Sequence, residues 1–195
     1  MHHGYDGRSA LLVVDVQNDF ADPEGSLYVR DAERIVPLIN EEIASAERAR
    51  AAVIYTQDWH PESTPHFEKD GGIWPVHCVQ RSWGAELHPG LQVAGEVVRK
   101  GVGGEDGYSG FTVREPASGA TTPTPLQQVL QERDVERLVV CGVATDYCVV
   151  ETVLDARRLG YPVEVLPDAI RAVERDAGDG DRAIRRMREA GATLA

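Results

Sequence analysis

Short runs of apolar, mostly β-branched residues alternate with longer segments of helical pattern along most of this chain. The runs that predict buried strands are 9–16, 51–56, 96–99, 138–143 and 163–166, with a short last strand around 192–194. The helical patterns lie at 31–50, 124–133, 146–159 and 181–190. Near-continuous apolar strands are typical of a parallel sheet that is covered on both faces by helical crossovers. We therefore predict an α/β fold, a three-layer α/β/α sandwich around a mostly parallel sheet of about six strands.

The size and charge of the chain narrow its class. Its 195 residues, 42% of them apolar, suit a single domain that spans residues 1–195. The formal net charge of −12 repels phosphate backbones and anionic lipids, which argues against nucleic acid and membranes as partners. Three cysteines and a start without a signal-peptide pattern predict a reducing compartment, the cytoplasm. The acidic character leaves open whether the chain forms a homo-oligomer.

Reactive side chains follow four of the predicted strands. In strand order they are Asp15, Asp58 with His60, Lys100, and Cys148. Ligand sites of open parallel sheets lie beyond the carboxyl ends of the strands. We therefore expect these side chains to meet at one edge of the sheet.

Cys148 lies where a thiol would be activated. Thr145 or Asp146 suits the N-cap of the next helix, so the sulfur would lie in the first turn, where the helix dipole favours a thiolate. The unpaired backbone N–H groups of that turn could stabilise an oxyanion. The alternative is a small buried residue that packs helix on sheet, which is our interpretation of Cys78 and Cys141.

Asp15 and Lys100 also have ordinary interpretations. A carboxylate that ends an apolar strand serves as a cap or an ion-pair member as readily as a catalytic group, and a lysine there is often solvated. With Cys148, however, they form a coherent set. The carboxylate would take the thiol proton, the ammonium would keep the carboxylate ionised and support the thiolate, and the thiolate would attack.

The loop-rich segment 57–93 concentrates metal-type ligands, namely Asp58, His60, His66 and His77. Three imidazoles with one carboxylate suit zinc, iron or manganese and leave positions open for water or substrate. Histidines on a solvated loop are the alternative interpretation. That interpretation is the one we give to the other histidines, His2, His3 and His88.

Aromatic residues lie beside these motifs. Phe20, Trp59, Trp74 and Tyr108 could wall a pocket for a flat ring, although each alone is more often a core residue. The glycine-rich segment 101–107 does not match the dinucleotide-binding pattern, and neither a serine-hydrolase elbow nor a P-loop pattern occurs. Those three kinds of site are therefore disfavoured.

Taken together, the motifs resemble one family. They are DVQNDF at 15–20, TQDWHP at 56–61 with His66, WPVHC at 74–78, RKG at 99–101 and GVATDYCV at 142–149. In this order and at these spacings they closely resemble the nicotinamidase branch of the isochorismatase-like cysteine hydrolases. The likeness covers nearly the whole chain from about residue 10, and the family fold is a parallel sheet between helical layers.

The resemblance implies roles for particular residues. It implies a catalytic triad, a metal-ligand set, an oxyanion hole of backbone N–H groups with a cis peptide before its first member, and ring-contacting side chains. The triad is Asp15, Lys100 and Cys148, and the metal ligands are Asp58, His60, His66 and His77. The oxyanion hole is formed at Ala144 and Cys148, and the ring-contacting side chains are Phe20, Trp74 and Tyr108.

The activity that the resemblance implies is hydrolysis of nicotinamide to nicotinic acid and ammonia through a thioester, with pyrazinamide as a further substrate. One divalent metal ion, zinc, iron or manganese, would hold the pyridine nitrogen, and the cellular role would be pyridine nucleotide salvage. Two alternatives stay open. One is a metal-free relative that acts on another small amide or vinyl ether, and the other is a non-catalytic metal-binding or scaffold protein on the same fold.

Overall fold

The structure, a computed structural model, describes residues 4–195, so His2 and His3 lie outside the described residues. The strands within this range are β1 (Ser9–Val14), β2 (Ala52–Asp58), β3 (Glu96–Lys100), β4 (Thr112–Arg114), β5 (Thr121–Pro123), β6 (Arg137–Val143), β7 (Val163–Arg171) and β8 (Thr193–Leu194). The helices are α1 (Asn18–Ala21), α2 (Val36–Arg48), α3 (Leu126–Glu132), α4 (Val150–Arg158) and α5 (Asp179–Glu189). Short 3₁₀ turns lie at Ala32–Ile35 and Glu68–Asp70, and a π-helical turn lies at Thr145–Val149. None of the helices in the described range combines the length and apolar character needed to cross a bilayer.

Six of the strands form one sheet in the order β3-β2-β1-β6-β7-β8, and all neighbouring strands are parallel. This confirms the predicted α/β fold with a parallel sheet of six strands. The chain builds the sheet outward from β1 to β3 and then returns to place β6 on the other side of β1. The strand order therefore reverses between β1 and β6, and in such sheets a ligand crevice opens at the carboxyl side of the reversal.

The side chains of β1 alternate between two hydrophobic cores. Leu11 and Val13 pack with residues of α2, whereas Leu12 and Val14 pack with residues of α3, α4 and α5. All four side chains are at most 1% exposed, and each contributes about 1.5–3 kcal/mol by burial. Because successive side chains of a strand point to opposite faces, helices cover both faces of the sheet. The predicted three-layer α/β/α sandwich is confirmed.

Some predicted boundaries differ from the structure. The second strand continues to Asp58, the fifth continues to Arg171, and the first long helix begins as the 3₁₀ turn Ala32–Ile35. The antiparallel hairpin of β4 and β5 was not predicted. Its strands have three residues each, and those of β5 are all exposed, so no apolar run marks the hairpin in the sequence.

The expected N-cap at Thr145 or Asp146 is wrong. The N-cap position of the turn after β6 is Ala144, without a side-chain cap. The carboxylate of Asp146 instead accepts hydrogen bonds from the backbone N–H groups of Val173 and Glu174, both at 2.9 Å. Asp146 thus ties this turn to the loop after β7.

Asp19 holds together two long loops that lie over the carboxyl edge of the sheet. Its carboxylate accepts hydrogen bonds from the backbone N–H groups of Ser26, at 3.0 Å, and Cys78, at 2.6 Å. Gly84 allows this close approach, because a Cβ atom there would lie 2.0 Å from the carboxylate. The loop that carries His77 is therefore fixed to the loop after β1.

Replacement of Gly142 on β6 by any residue with a Cβ atom is predicted to destabilise the fold. Its φ is +114°, and an added Cβ atom would lie 2.1 Å from the carbonyl oxygen of Val14 on β1. We expect Gly142→Ala to lower the free energy of unfolding by about 3–5 kcal/mol, through left-handed strain and overlap together. Gly119→Ala is the matched control, since Gly119 has a φ of +71° but an added Cβ atom there would meet nothing within 4 Å. This substitution should cost about 1–2 kcal/mol. Urea denaturation measures both, and equal losses would contradict the close approach of β1 and β6.

Candidate active site

Asp15, Lys100 and Cys148 meet at the carboxyl edge of the sheet. Asp15 follows β1, Lys100 ends β3, and Cys148 lies in the turn after β6. The Nζ atom of Lys100 lies 2.9 Å from Oδ2 of Asp15 and 3.6 Å from Sγ of Cys148. The reversal of strand order places β6 beside β1, which is why Cys148 lies next to Asp15. The three predicted residues thus come from distant parts of the chain into one buried cluster.

Thr56 fixes the carboxylate of Asp15. Asp15 is fully buried and has a φ of +50°, an uncommon conformation for a residue with a side chain. The hydroxyl of Thr56 on β2 donates to Oδ1 of Asp15 at 2.6 Å and accepts from its backbone N–H at 3.2 Å. The other oxygen, Oδ2, is left for Lys100. Sequence reasoning missed Thr56, because a threonine in an apolar strand is an ordinary β-strand residue.

Lys100 is buried between two carboxylates. Its ammonium group is 1% exposed and donates to Oδ1 of Asp58, in addition to its ion pair with Asp15. A third partner is the carbonyl oxygen of Gly107, at 3.1 Å. A buried ammonium is tolerated only with such partners. The interpretation of Lys100 as a solvated strand end is therefore wrong.

Burial sets the protonation of this cluster. It raises the pKa of the Cys148 thiol well above its usual value, against the opposing charge of Lys100. It also raises the pKa of Asp15, again against Lys100. Burial alone would lower the pKa of Lys100, but Asp15 and Asp58 hold that pKa well above its usual value. The cluster therefore pairs a protonated thiol with a carboxylate whose affinity for a proton is increased. The lowered thiol pKa that the sequence predicted at a helix terminus is not found.

His60, His66 and His77 form a second buried cluster. Each offers a ring nitrogen, and these atoms all lie within 4.8 Å of one another. All three side chains are buried, and burial lowers the pKa of His60 to about 4 and that of His77 below its usual value. Neutral imidazole is the form of histidine that binds metal ions. The interpretation of these histidines as solvated loop residues is therefore wrong.

The Nδ1 contacts of two of these histidines fit a metal ion. Nδ1 of His66 lies 2.8 Å from Oδ1 of Asp106, and Nδ1 of His77 lies 2.8 Å from the carbonyl oxygen of Pro75. Both rings thus keep Nε2 for another partner, as metal-binding histidines do. Neither ring nitrogen of His60 has a hydrogen-bond partner within the described residues, although the ring is 1% exposed. Such buried polar atoms are costly without a partner, and a metal ion would supply one.

Asp58 links the two clusters. Its Oδ1 atom accepts from Lys100, while Oδ2 lies 3.9 Å from Nε2 of His60. Two ligands that each lie about 2.1 Å from one metal ion are about 3–4 Å apart, so this separation is compatible with a shared ion. Although burial opposes it, Lys100 and His60 hold the pKa of Asp58 below its usual value. Gln17 fixes the backbone here, because its side chain accepts from the N–H of Asp58 and donates to its carbonyl, both at 2.8 Å.

A cavity lies between the two clusters. Cys148 and Ala144 line it together with His66 and His77, and its aromatic wall consists of Phe20, Trp74, Tyr108 and Tyr147. The peptide bond before Ala144 is cis, in agreement with the resemblance. The thiol of Cys148 thus shares one cavity with His66, His77 and the aromatic rings.

The aromatic wall is held by its own contacts. Nε1 of Trp74 donates to the hydroxyl of Tyr108 at 3.0 Å. The rings of Trp74 and Tyr147 pack edge-to-face, with their centroids 4.8 Å apart. Tyr147 was missed because its position in the sequence predicts only a helical residue. Trp59 is not part of this wall, since it packs under the guanidinium group of Arg99 at 3.8 Å.

Comparison with known proteins covers nearly the full chain. Residues 9–195 match the family described as the isochorismatase domain. The nicotinamidase of Escherichia coli (strain K12) is 39% identical over 95% of this chain and 93% of its own length. The structure of a pyrazinamidase of Pyrococcus horikoshii in complex with zinc has 37% identity and a TM-score of 0.85, covering 96% of this chain and 98% of its own. The structure of PnC1 from L. infantum in complex with nicotinate has 37% identity and a TM-score of 0.89, covering 100% of this chain and 96% of its own.

The hydroxyl of Thr56 is predicted to stabilise the fold through Asp15. Thr56→Val leaves a buried carboxylate oxygen without its donor, which should cost about 1–3 kcal/mol, whereas Thr56→Ser keeps the donor. The hydrogen bond from Thr56 lowers the pKa of Asp15, so its loss raises that pKa further. A carboxyl with a folded pKa above its unfolded value loses stability as pH rises between the two. The stability gap between the variants should therefore widen as pH rises above the unfolded pKa of Asp15 and through its raised folded pKa, which is higher in Thr56→Val than in Thr56→Ser. A gap that stays constant with pH in urea denaturation would contradict this role.

Proposed function

The chain belongs to the isochorismatase domain family, and on that basis we propose that it hydrolyses nicotinamide to nicotinic acid and ammonia through a thioester on Cys148. The observation that carries the proposal is the position of Lys100 Nζ, 2.9 Å from Asp15 and 3.6 Å from Cys148, beside a cavity that buried histidines also line. The similarity to nicotinamidases and to a nicotinate complex supports this substrate. The similarity to a pyrazinamidase supports pyrazinamide as a further substrate.

The first step is attack by sulfur. Asp15 takes the proton of the Cys148 thiol as Sγ bonds to the carbonyl carbon of the amide. The negative charge that develops on the carbonyl oxygen is stabilised by the backbone N–H groups of Ala144 and Cys148. Burial raises the pKa of the thiol, which keeps it protonated before attack, and raises the pKa of Asp15, which makes the carboxylate a stronger acceptor for that proton. The Lys100 ammonium beside both groups offsets negative charge throughout.

The second half of the reaction restores the enzyme. Asp15 returns its proton to the amide nitrogen, the C–N bond breaks and ammonia leaves, so the acyl group remains on Cys148 as a thioester. Asp15 then takes a proton from a water molecule that attacks the thioester carbon. The C–S bond breaks, and the proton returns to sulfur as nicotinic acid is released.

One divalent metal ion completes the proposed site. Asp58, His60, His66 and His77 would hold it, and the orphaned ring nitrogens of His60 support this assignment. When bound, the ion would act as a Lewis acid toward the ring nitrogen of the substrate. The aromatic wall, formed by Phe20, Trp74 and Tyr108 with Tyr147, would orient the flat ring beside the thiol.

The alternatives predict different observations. A metal-free relative leaves the buried nitrogens of His60 without a purpose, and its purified protein would hold no metal. A scaffold protein has no need for an ammonium, a carboxylate and a thiol in contact. Its Cys148 would be no more reactive toward iodoacetamide than Cys141, which is fully buried.

Cys148→Ala tests the nucleophile. We expect the variant to release no ammonia from nicotinamide, because no other thiol lines the described cavity, and to keep its metal, because the proposed ligands are intact. Cys141→Ala is the matched control and should retain turnover, since Cys141 packs in the core. Ammonia release and elemental analysis give both readouts, and an active Cys148→Ala enzyme would overturn the assignment.

The metal ligands are tested by single histidine replacements. His60→Ala or His66→Ala should reduce metal content and ammonia release together, because each removes one proposed ligand. His88→Ala serves as control, since His88 does not line the cavity. Unchanged metal content in both ligand variants would show that the proposed ligand set is wrong.

A further inference from the structure

The glycine-rich segment 101–107, which begins the connection from β3 to β4, lies beside the histidine cluster. Gly101 has a φ of +72°, and an added Cβ atom would lie 2.7 Å from the ring of His60. The carbonyl of Gly104 accepts from the hydroxyl of Thr64 at 2.8 Å, two residues before His66. The carbonyl of Gly107 accepts from Lys100. A segment without a recognisable ligand motif in the sequence therefore contacts both halves of the site.

Asp106 is the side chain that this segment directs at the cluster. Its carboxylate is 17% exposed, with Oδ1 at 2.8 Å from Nδ1 of His66 and Oδ2 at 2.6 Å from Nη2 of Arg114. The backbones of Asp106 and Arg114 are also paired, through two N–H to carbonyl hydrogen bonds of 2.8 and 2.5 Å. Asp106 is thus held to β4 by main chain and side chain alike.

The chemistry of this contact is directional. A carboxylate that accepts from Nδ1–H of an imidazole fixes the tautomer, fixes the ring plane and makes Nε2 a better ligand. Among the three clustered histidines, His77 has a neutral carbonyl in this position, and neither ring nitrogen of His60 has a hydrogen-bond partner within the described residues. Of the three Nδ1 atoms in the described cluster, the one of His66 therefore faces a carboxylate, whereas Asp58 lies on the Nε2 side of His60 at 3.9 Å.

We propose that Asp106 is a positioning residue for the metal site: it holds His66 with Nε2 available to the ion, and Arg114 holds Asp106 in turn. This inference rests on the proposed function, because it takes His66 to be a metal ligand. Stability alone does not account for the arrangement. The Arg114 side chain is 58% exposed, and an ion pair with so exposed a partner adds little to the fold.

Zinc affinity tests the role directly. The dissociation constant for zinc is measured by competition with a chromophoric chelator, on wild-type protein and on Asp106→Ala. We expect Asp106→Ala to raise this constant about 10–100-fold, the usual effect of losing a partner of a ligating histidine. Ammonia release should recover when zinc is raised in proportion, because the ligands themselves remain.

Asp155→Ala is the matched control. Asp155 on α4 also holds the hairpin, since it accepts from the hydroxyl of Thr112 at 2.9 Å, and it pairs with Arg158 at 2.8 Å. Neither contact involves a clustered histidine. Zinc affinity should therefore be unchanged in Asp155→Ala, while thermal unfolding of the zinc-free proteins records any loss of hairpin packing in both variants.

The outcomes separate this inference from the proposed function. Wild-type protein that binds no zinc overturns the metal site, and this inference with it. Zinc binding by wild type with an unchanged constant in Asp106→Ala overturns the inference alone. Equal weakening in Asp155→Ala also overturns it, because the effect would then come from hairpin packing.

Discussion

The structure depends on one buried ammonium group held between two carboxylates. Lys100 lies between Asp15 and Asp58 with almost no exposure to solvent, and removal of its ammonium group would leave two buried carboxylates without a counter-charge. The same contact joins the thiol to the histidines, because Asp15 adjoins Cys148 and Asp58 adjoins His60. Charge balance at this edge therefore couples the proposed nucleophile to the proposed metal ligands.

The sheet supplies the geometry that this charge cluster needs. Reversal of the strand order between β1 and β6 brings the residue after β1 beside the turn after β6, and β2 and β3 add Asp58 and Lys100 from the other side. Rigid strand ends thus carry the reactive groups, while loops complete the cavity with aromatic rings and histidines. Asp19 joins two of those loops to each other, and Gly107 ties segment 101–107 to Lys100 at the end of β3.

Sequence patterns predicted what the strands determine and missed what depends on contacts between distant segments. The six strands, the two helical layers and the convergence of Asp15, Lys100 and Cys148 follow from apolar runs and from the shared edge of parallel strands. Thr56 and Asp106 give no local signal, since their importance lies in contacts with Asp15 and His66. The cap expected at Asp146 failed because backbone N–H groups from the loop after β7 compete for its carboxylate. The lowered thiol pKa expected from the helix terminus is not found, because burial raises the pKa of Cys148 against the opposing charge of Lys100.

The central claim is that Cys148 carries the acyl group between the two halves of the reaction. Rapid quenching in acid during turnover of nicotinamide, followed by mass spectrometry of the intact protein and its peptides, tests this claim most directly. If Cys148 is the nucleophile, cleavage before Asp146 places a nicotinoyl group on the peptide that contains Cys148, and the peptides that contain Cys78 and Cys141 carry none. Ammonia release with no acyl group on Cys148 under single-turnover conditions, or with the group on another residue, would contradict it.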